Sequence, residues 1–149
     1  MKKLIAIVTV ALLLAGCSAG GAKKQTLACN QALEGSSMDS NFIFTDGTLT
    51  NLEQKTVIAI PEDQKENIDA LKTALEQSKE QMATIEGATY EYSVTETEAT
   101  INVTYDIAKF DDATLLAFGF TDDMKTDGKF DIAKITDTYK NLGIECTVK

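Results

Sequence analysis

Three cysteines are the side chains in this sequence whose type and spacing point to covalent chemistry: Cys17, Cys29 and Cys146. Cys17 closes the segment Leu14-Ala15-Gly16-Cys17, directly after an apolar run led by Lys2 and Lys3. That pattern is a bacterial lipobox. Its thiol is expected to take a diacylglyceryl group as a thioether, and a peptidase is expected to cut just before it. Cys17 then becomes the acylated first residue of the mature protein. The preceding run has the parts of a signal peptide: a positive start, the apolar stretch Leu4 to Ala15, and the small residues Ala15 and Gly16 before the cut. Its 12 residues fall short of the roughly 20 that a spanning helix needs. An ordinary secretory signal or a short buried helix is the plainer alternative. Two or more acyl chains, such as palmitate, hold a protein stably at roughly 0.8 kcal/mol per buried methylene. The expected location is the cell membrane, lipid-anchored on its extracytoplasmic face.

Once Cys17 is acylated, Cys29 and Cys146 remain, near the two ends of the folded part. Outside the membrane disulfides persist, and an even pair so placed reads as a clasp. Closing so long a loop stabilises by about 4 to 5 kcal/mol in the chain-entropy model. Two free buried thiols, or a redox or metal pair, are the alternatives. The sequence has neither a CxxC spacing nor a His to complete a zinc site.

Other chemistry is sparse. The chain has no His and no Trp, and all 14 of its basic residues are Lys. That removes His-based triads, His metal ligands and Arg clamps on phosphate or carboxylate. There is no GxGxxG and no P-loop. Ser36 and Ser37 follow Gly35, with no partner base indicated beyond a remote Ser–Lys pairing. The segment Asp122 to Asp131 contains the Asp127-Gly128 turn of a calcium loop. Counting from Asp123, however, Lys125 and Lys134 fall where oxygen ligands belong, so it reads as a solvated acidic loop. Glu96 and Glu98 share a strand face at a turn and read as exposed charge. No catalytic residue, metal or cofactor is assigned, and the sequence leans away from an enzyme. The formal charge of −9 becomes −11 once Lys2 and Lys3 are removed. Such a surface is repelled by nucleic acid and by anionic headgroups.

The elements that position these residues read as α+β. Residues 1–16 are the signal peptide, and 17–25 a flexible tether of small and polar residues. Residues 26–149 are one domain of ordinary size. Thr26 to Asn30 and Asn41 to Thr45 read as strands, with Asp46-Gly47 as a hairpin turn into a third strand ending near Ile60. Pro61, Glu62 and Asp63 suit the start of a long helix. Its apolar stripe is Ile68, Leu71, Leu75, Met82 and Ile85, and Gly87 is its stop. Tyr90 to Val94 and Ala99 to Tyr105 alternate with period two about a Glu96-Thr97-Glu98 turn, so one face is buried, and the long helix is expected to cover it. Phe110 to Phe120 reads as a short helix or irregular segment. Asp131 is a plausible cap for a second helix reaching Leu142. A last strand, Ile144 to Val148, would return Cys146 to the side of Cys29. The expectation is a mainly antiparallel sheet packed on one long helix, with a second C-terminal helix and a terminal strand clasped by a disulfide.

The pattern resembles the YehR-like lipoproteins, a family of uncharacterised bacterial proteins. The resemblance runs through Cys29, the helix from Ala70-Leu71-Lys72 to Ile85-Glu86-Gly87-Ala88, the strand Ala99 to Asp106 running into Ile107-Ala108-Lys109-Phe110-Asp111, and the closing Tyr139-Lys140-Asn141-Leu142-Gly143-Ile144-Glu145-Cys146. It implies a lipid-anchored α+β domain and carries over no catalytic residues. Two functions remain open. One is a membrane-tethered binding or accessory module that engages another envelope protein or a small ligand. The other is an envelope hydrolase acting on glycan with carboxylates alone.

Overall fold

The computed structural model describes residues 21–149. Cys17, the signal peptide and most of the tether lie outside the described residues. The first strand, β1 (Lys24–Leu33), starts two residues inside the stretch read as tether. It turns at Gly35 into β2 (Ser36–Thr45), which turns at Asp46-Gly47 into β3 (Thr48–Ala59). Asp46 and Gly47 both have positive φ, 50° and 76°, the geometry that matches a two-residue turn to the twist of its strands. The chain then crosses through a 3-10 helix, Glu62–Asn67, into α1 (Ile68–Met82). A hairpin follows, β4 (Ala88–Val94) and β5 (Glu98–Asp106). Next come the short α2 (Asp112–Ala117), a small hairpin of β6 (Lys125–Thr126) and β7 (Lys129–Phe130), then α3 (Ile132–Asn141) and β8 (Glu145–Val148).

Six strands form one antiparallel sheet in the order β4-β5-β3-β2-β1-β8. The first and last strands are therefore neighbours. Cys146 sits directly opposite Cys29, and the two are joined by a disulfide. Beyond them, Thr26 and Lys149 exchange both backbone hydrogen bonds, at 3.2 and 2.8 Å.

Alternation gives the sheet one wet and one dry face. Outward positions form polar rows, such as Asn30, Asp39, Lys55, Asn102 and Glu91 across five strands, as expected where nothing covers an antiparallel sheet. Inward positions build two cores. The larger centres on Leu27, Phe42, Phe44, Leu52, Tyr105 and Ile135, under α2, α3 and the β6–β7 hairpin. Full burial of each such side chain contributes about 1.5–3 kcal/mol. The smaller is Ile60, Leu75 and Ala99, with Ile68 and Leu71 of α1 against Tyr92, Val94 and Ile101.

Two sequence expectations change here. The long helix is shorter, because residues 62–67 wind as a 3-10 turn that buries nothing. It also covers one end of the inner face rather than all of it, and its single fully buried residue is Leu75. The acidic segment 122–131 keeps Asp122, Asp123 and Asp127 exposed, as a solvated loop would, and folds as a 3-10 turn followed by a short hairpin, with Asp127 and Gly128 at φ 50° and 77°.

A candidate ligand cleft and the cysteine pair

Where the larger core meets the middle of the sheet, the packing leaves a cleft of about 50 Å³. β2 contributes Phe42, β3 contributes Leu52 and Gln54, and β5 contributes Tyr105. The lid is Phe118, Gly119 and Phe120 after α2, then Met124, and Tyr139 from α3. The rings fix one another: Tyr139 meets Phe42 edge-on at 5.2 Å, Phe120 meets Phe42 at 6.3 Å, and Phe118 lies 4.9 Å from Tyr105. Edge contacts of this kind contribute about 0.5–1.5 kcal/mol beyond the area they bury. Gly119 closes α2 at φ 83°, a conformation open to glycine, and lets the chain fold back so that both Phe118 and Phe120 face the cleft.

Three polar groups reach this space. Gln54 donates from Nε2 to the Oγ of Ser40 at 3.3 Å, and Ser40 is the buried polar residue among those described, 1% exposed. The phenols of Tyr105 and Tyr139 take no side-chain partner among the described residues. Burial pushes both pKa values up, with the Tyr90 phenol a smaller contributor at Tyr105. At neutral pH both are therefore uncharged donors. At about 50 Å³ the space is of water size, well below the roughly 300–1,000 Å³ of a ligand pocket, and its polar groups are neutral. It holds no nucleophile and no carboxylate.

The acids of the sequence are used elsewhere. Asp111 accepts from Thr114 N at 2.8 Å and caps α2, and hydrogen bonding from the Thr114 side chain first, then from its backbone N–H, holds the carboxyl below the usual carboxylate range. Asp131 accepts from Ala133 N and Lys134 N and caps α3. Asp122 and Asp112 flank Lys125 at 2.9 and 3.8 Å. Lys125 also sits 5.2 Å over the Phe130 ring, and the Asp122 hydrogen bond raises its pKa. Glu96 and Glu98 are exposed at the β4–β5 turn. Among the described residues no group of three or more His, Cys, Asp or Glu side chains is placed to hold a metal. Ser36 and Ser37 begin β2 on opposite faces, and neither is hydrogen-bonded to a lysine among the described residues.

Of the predicted site residues, Cys29 and Cys146 are brought together and Cys17 lies outside the described residues. The cleft itself was not read from the sequence. Its polar groups come from β3, β5 and α3, and Tyr139 falls within the second helix read up to Leu142. A buried phenol usually finds a partner, so a tyrosine within an apolar stripe was the available signal.

No family model and no curated protein matches the chain. Two solved structures do resemble it in fold. The E. coli YehR protein, solved by NMR, is 18% identical with a TM-score of 0.67, over 86% of this chain and 94% of that one. A protein from Streptococcus pneumoniae TIGR4, also solved by NMR, is 15% identical with a TM-score of 0.60, over 99% and 98% of the two chains. At these identities the likeness is one of architecture: the chain has a YehR-like fold.

Proposed function

We propose that the protein is a bacterial lipoprotein, held by an acylated Cys17 at the outer face of the cell membrane, where it serves as a binding or accessory module of the envelope. The observation that carries the reading is the Cys29–Cys146 disulfide. Such bonds persist in oxidising compartments and are rare in the cytosol. It therefore supports, independently of the Leu14-Ala15-Gly16-Cys17 segment, a location outside the membrane. The cleft gives catalysis little support, since its polar groups are two neutral phenols and an amide. A carboxylate-dependent glycan hydrolase needs two acids facing one cleft, about 5 to 9.5 Å apart. No Asp or Glu lines this one, and in the wider open hollow beside α2, about 650 Å³, Glu86 is paired with Lys109 and Asp111 caps the helix.

Metabolic labelling with palmitate, followed by intact mass of the native protein, tests the anchor. The wild type is expected to carry label and to begin at Cys17, and Cys17→Ala to lose both. A native protein that keeps Met1 and carries no label would refute the reading, as would undiminished labelling of the variant.

A further inference from the structure

The smaller core is open on one side. Ile58, Ile60, Pro61, Ile68 and Leu71 line an apolar groove of about 230 Å³ between the end of β3 and the first turns of α1. Ile68 and Leu71 lie on the buried side of the helix yet remain partly exposed. The apolar strip continues along the sheet: Leu33 pairs with Ser36, which pairs with Ile58, so Leu33 and Ile58 share a face. Leu33 is 59% exposed.

The rim of this groove is acidic. Glu62, Asp63 and Glu66 follow Pro61 directly. Ile60 N donates to Thr97 O at 2.8 Å, which brings the β4–β5 turn, with Glu96, beside it. Ala59 N donates to Gly35 O at 2.8 Å, which does the same for Glu34. All five carboxylates are exposed. Lys65, the cation among them, is already paired with Glu62 at 3.0 Å. A second copy of the chain or an anionic lipid surface would bring like charge to this rim and be repelled. An aliphatic side chain flanked by lysine or arginine would meet both an apolar groove and a complementary rim.

We propose that this groove docks a cationic, aliphatic-bearing segment of a partner protein. It lies at the end of the sheet opposite Lys24, a β1 length or about 30 Å away. The inference deepens the binding-module reading, but the groove does not depend on acylation. Palmitate labelling reads one and peptide binding the other, so their failures are distinguishable.

The probe is a fluorescein-labelled helical peptide of leucine and lysine, followed by anisotropy. The full protein is used as purified, in phosphatidylcholine nanodiscs if acylated and in buffer if not. Saturable binding is expected, about tenfold weaker in Leu71→Ser and about tenfold weaker in Glu34→Gln/Glu96→Gln, with Leu116→Ser on α2 unchanged. Binding should also weaken as salt screens the rim. The glutamine pair sits on two exposed turns, so it decides the matter even if Leu71→Ser misfolds. Four results would overturn the proposal: no binding above the protein-free blank, equal loss in Leu116→Ser, equal binding of a leucine–glutamate peptide, or self-association abolished by Glu34→Gln/Glu96→Gln, which would assign the groove to a second copy.

Discussion

Removing the sulfur bridge between β1 and β8 is the perturbation with the largest expected effect on stability. The bridge closes a loop of 117 residues, and the chain-entropy model then gives about 5 kcal/mol at 25 °C. Cys29 is fully buried in the larger core, so its loss also removes packing there. Without the bridge, β8 keeps four register pairs with β1 and the Thr26–Lys149 hydrogen bonds. The assay is urea unfolding of the oxidised wild type and of Cys29→Ala/Cys146→Ala, with hydrogen exchange on both. At a urea slope of about 2 kcal/mol per molar, the midpoint should fall by roughly 2.5 M. Amides of β8 and the start of β1 should lose protection first, because an edge strand with few partners opens locally. A midpoint shift below about 0.5 M, with exchange altered only in β8, would refute the reasoning. It would mean that the bond limits fraying of an edge and does not act through the unfolded chain.

All four tyrosines have pKa values raised above the ordinary 10.0. Burial is the main cause at Tyr90, Tyr105 and Tyr139, and the hydrogen bond to Glu76 at Tyr92. The folded chain therefore holds the phenolic proton more tightly than the unfolded one, so this stabilisation is complete below pH 10 and is lost as the pH rises past it. Absorbance at 295 nm should show tyrosinate forming together with alkaline unfolding, and ionisation of Tyr105 and Tyr139 near pH 10 in a still-folded protein would contradict this. Gly87 has φ 90°, and a Cβ there would lie 3.0 Å from Lys109 Cβ and 3.2 Å from Asp106 O. Gly87→Ala should destabilise by about 1–3 kcal/mol, read as a lowered urea midpoint, and an unchanged midpoint would show that the α1–β4 turn adjusts freely.

Much of this architecture could be read from residue types. The Asp46-Gly47 turn, the alternation of Tyr90 to Val94 and Ala99 to Tyr105, and the Asp131 cap all carry local signals that the fold obeys. The return of Cys146 to Cys29 followed from placing the last strand beside the first. The start of β2 was missed for a physical reason. Its inward residues Ser36 and Met38 lie beside the groove, where no helix packs, so no apolar alternation marks the strand. The 3-10 turn at 62–67 was hidden because Pro61 and its acids suit either kind of helix start. The β6 and β7 strands, two residues each, are too short to show a period. The cleft was illegible because its walls come from segments far apart in the chain, and only the tertiary packing brings Gln54, Tyr105 and Tyr139 into one place.

Because Lys149 pairs with Thr26, residues 24 and 149 leave the domain side by side at one pole. A reporter fused after Lys149 would emerge there, well clear of the opposite end. A circular permutant could rejoin these two ends with a short linker and reopen the chain at Glu34-Gly35, an exposed turn between strands. In that rearranged chain β1 and β8 would become a continuous hairpin, and the bond between Cys29 and Cys146 would span a small loop in place of nearly the whole domain.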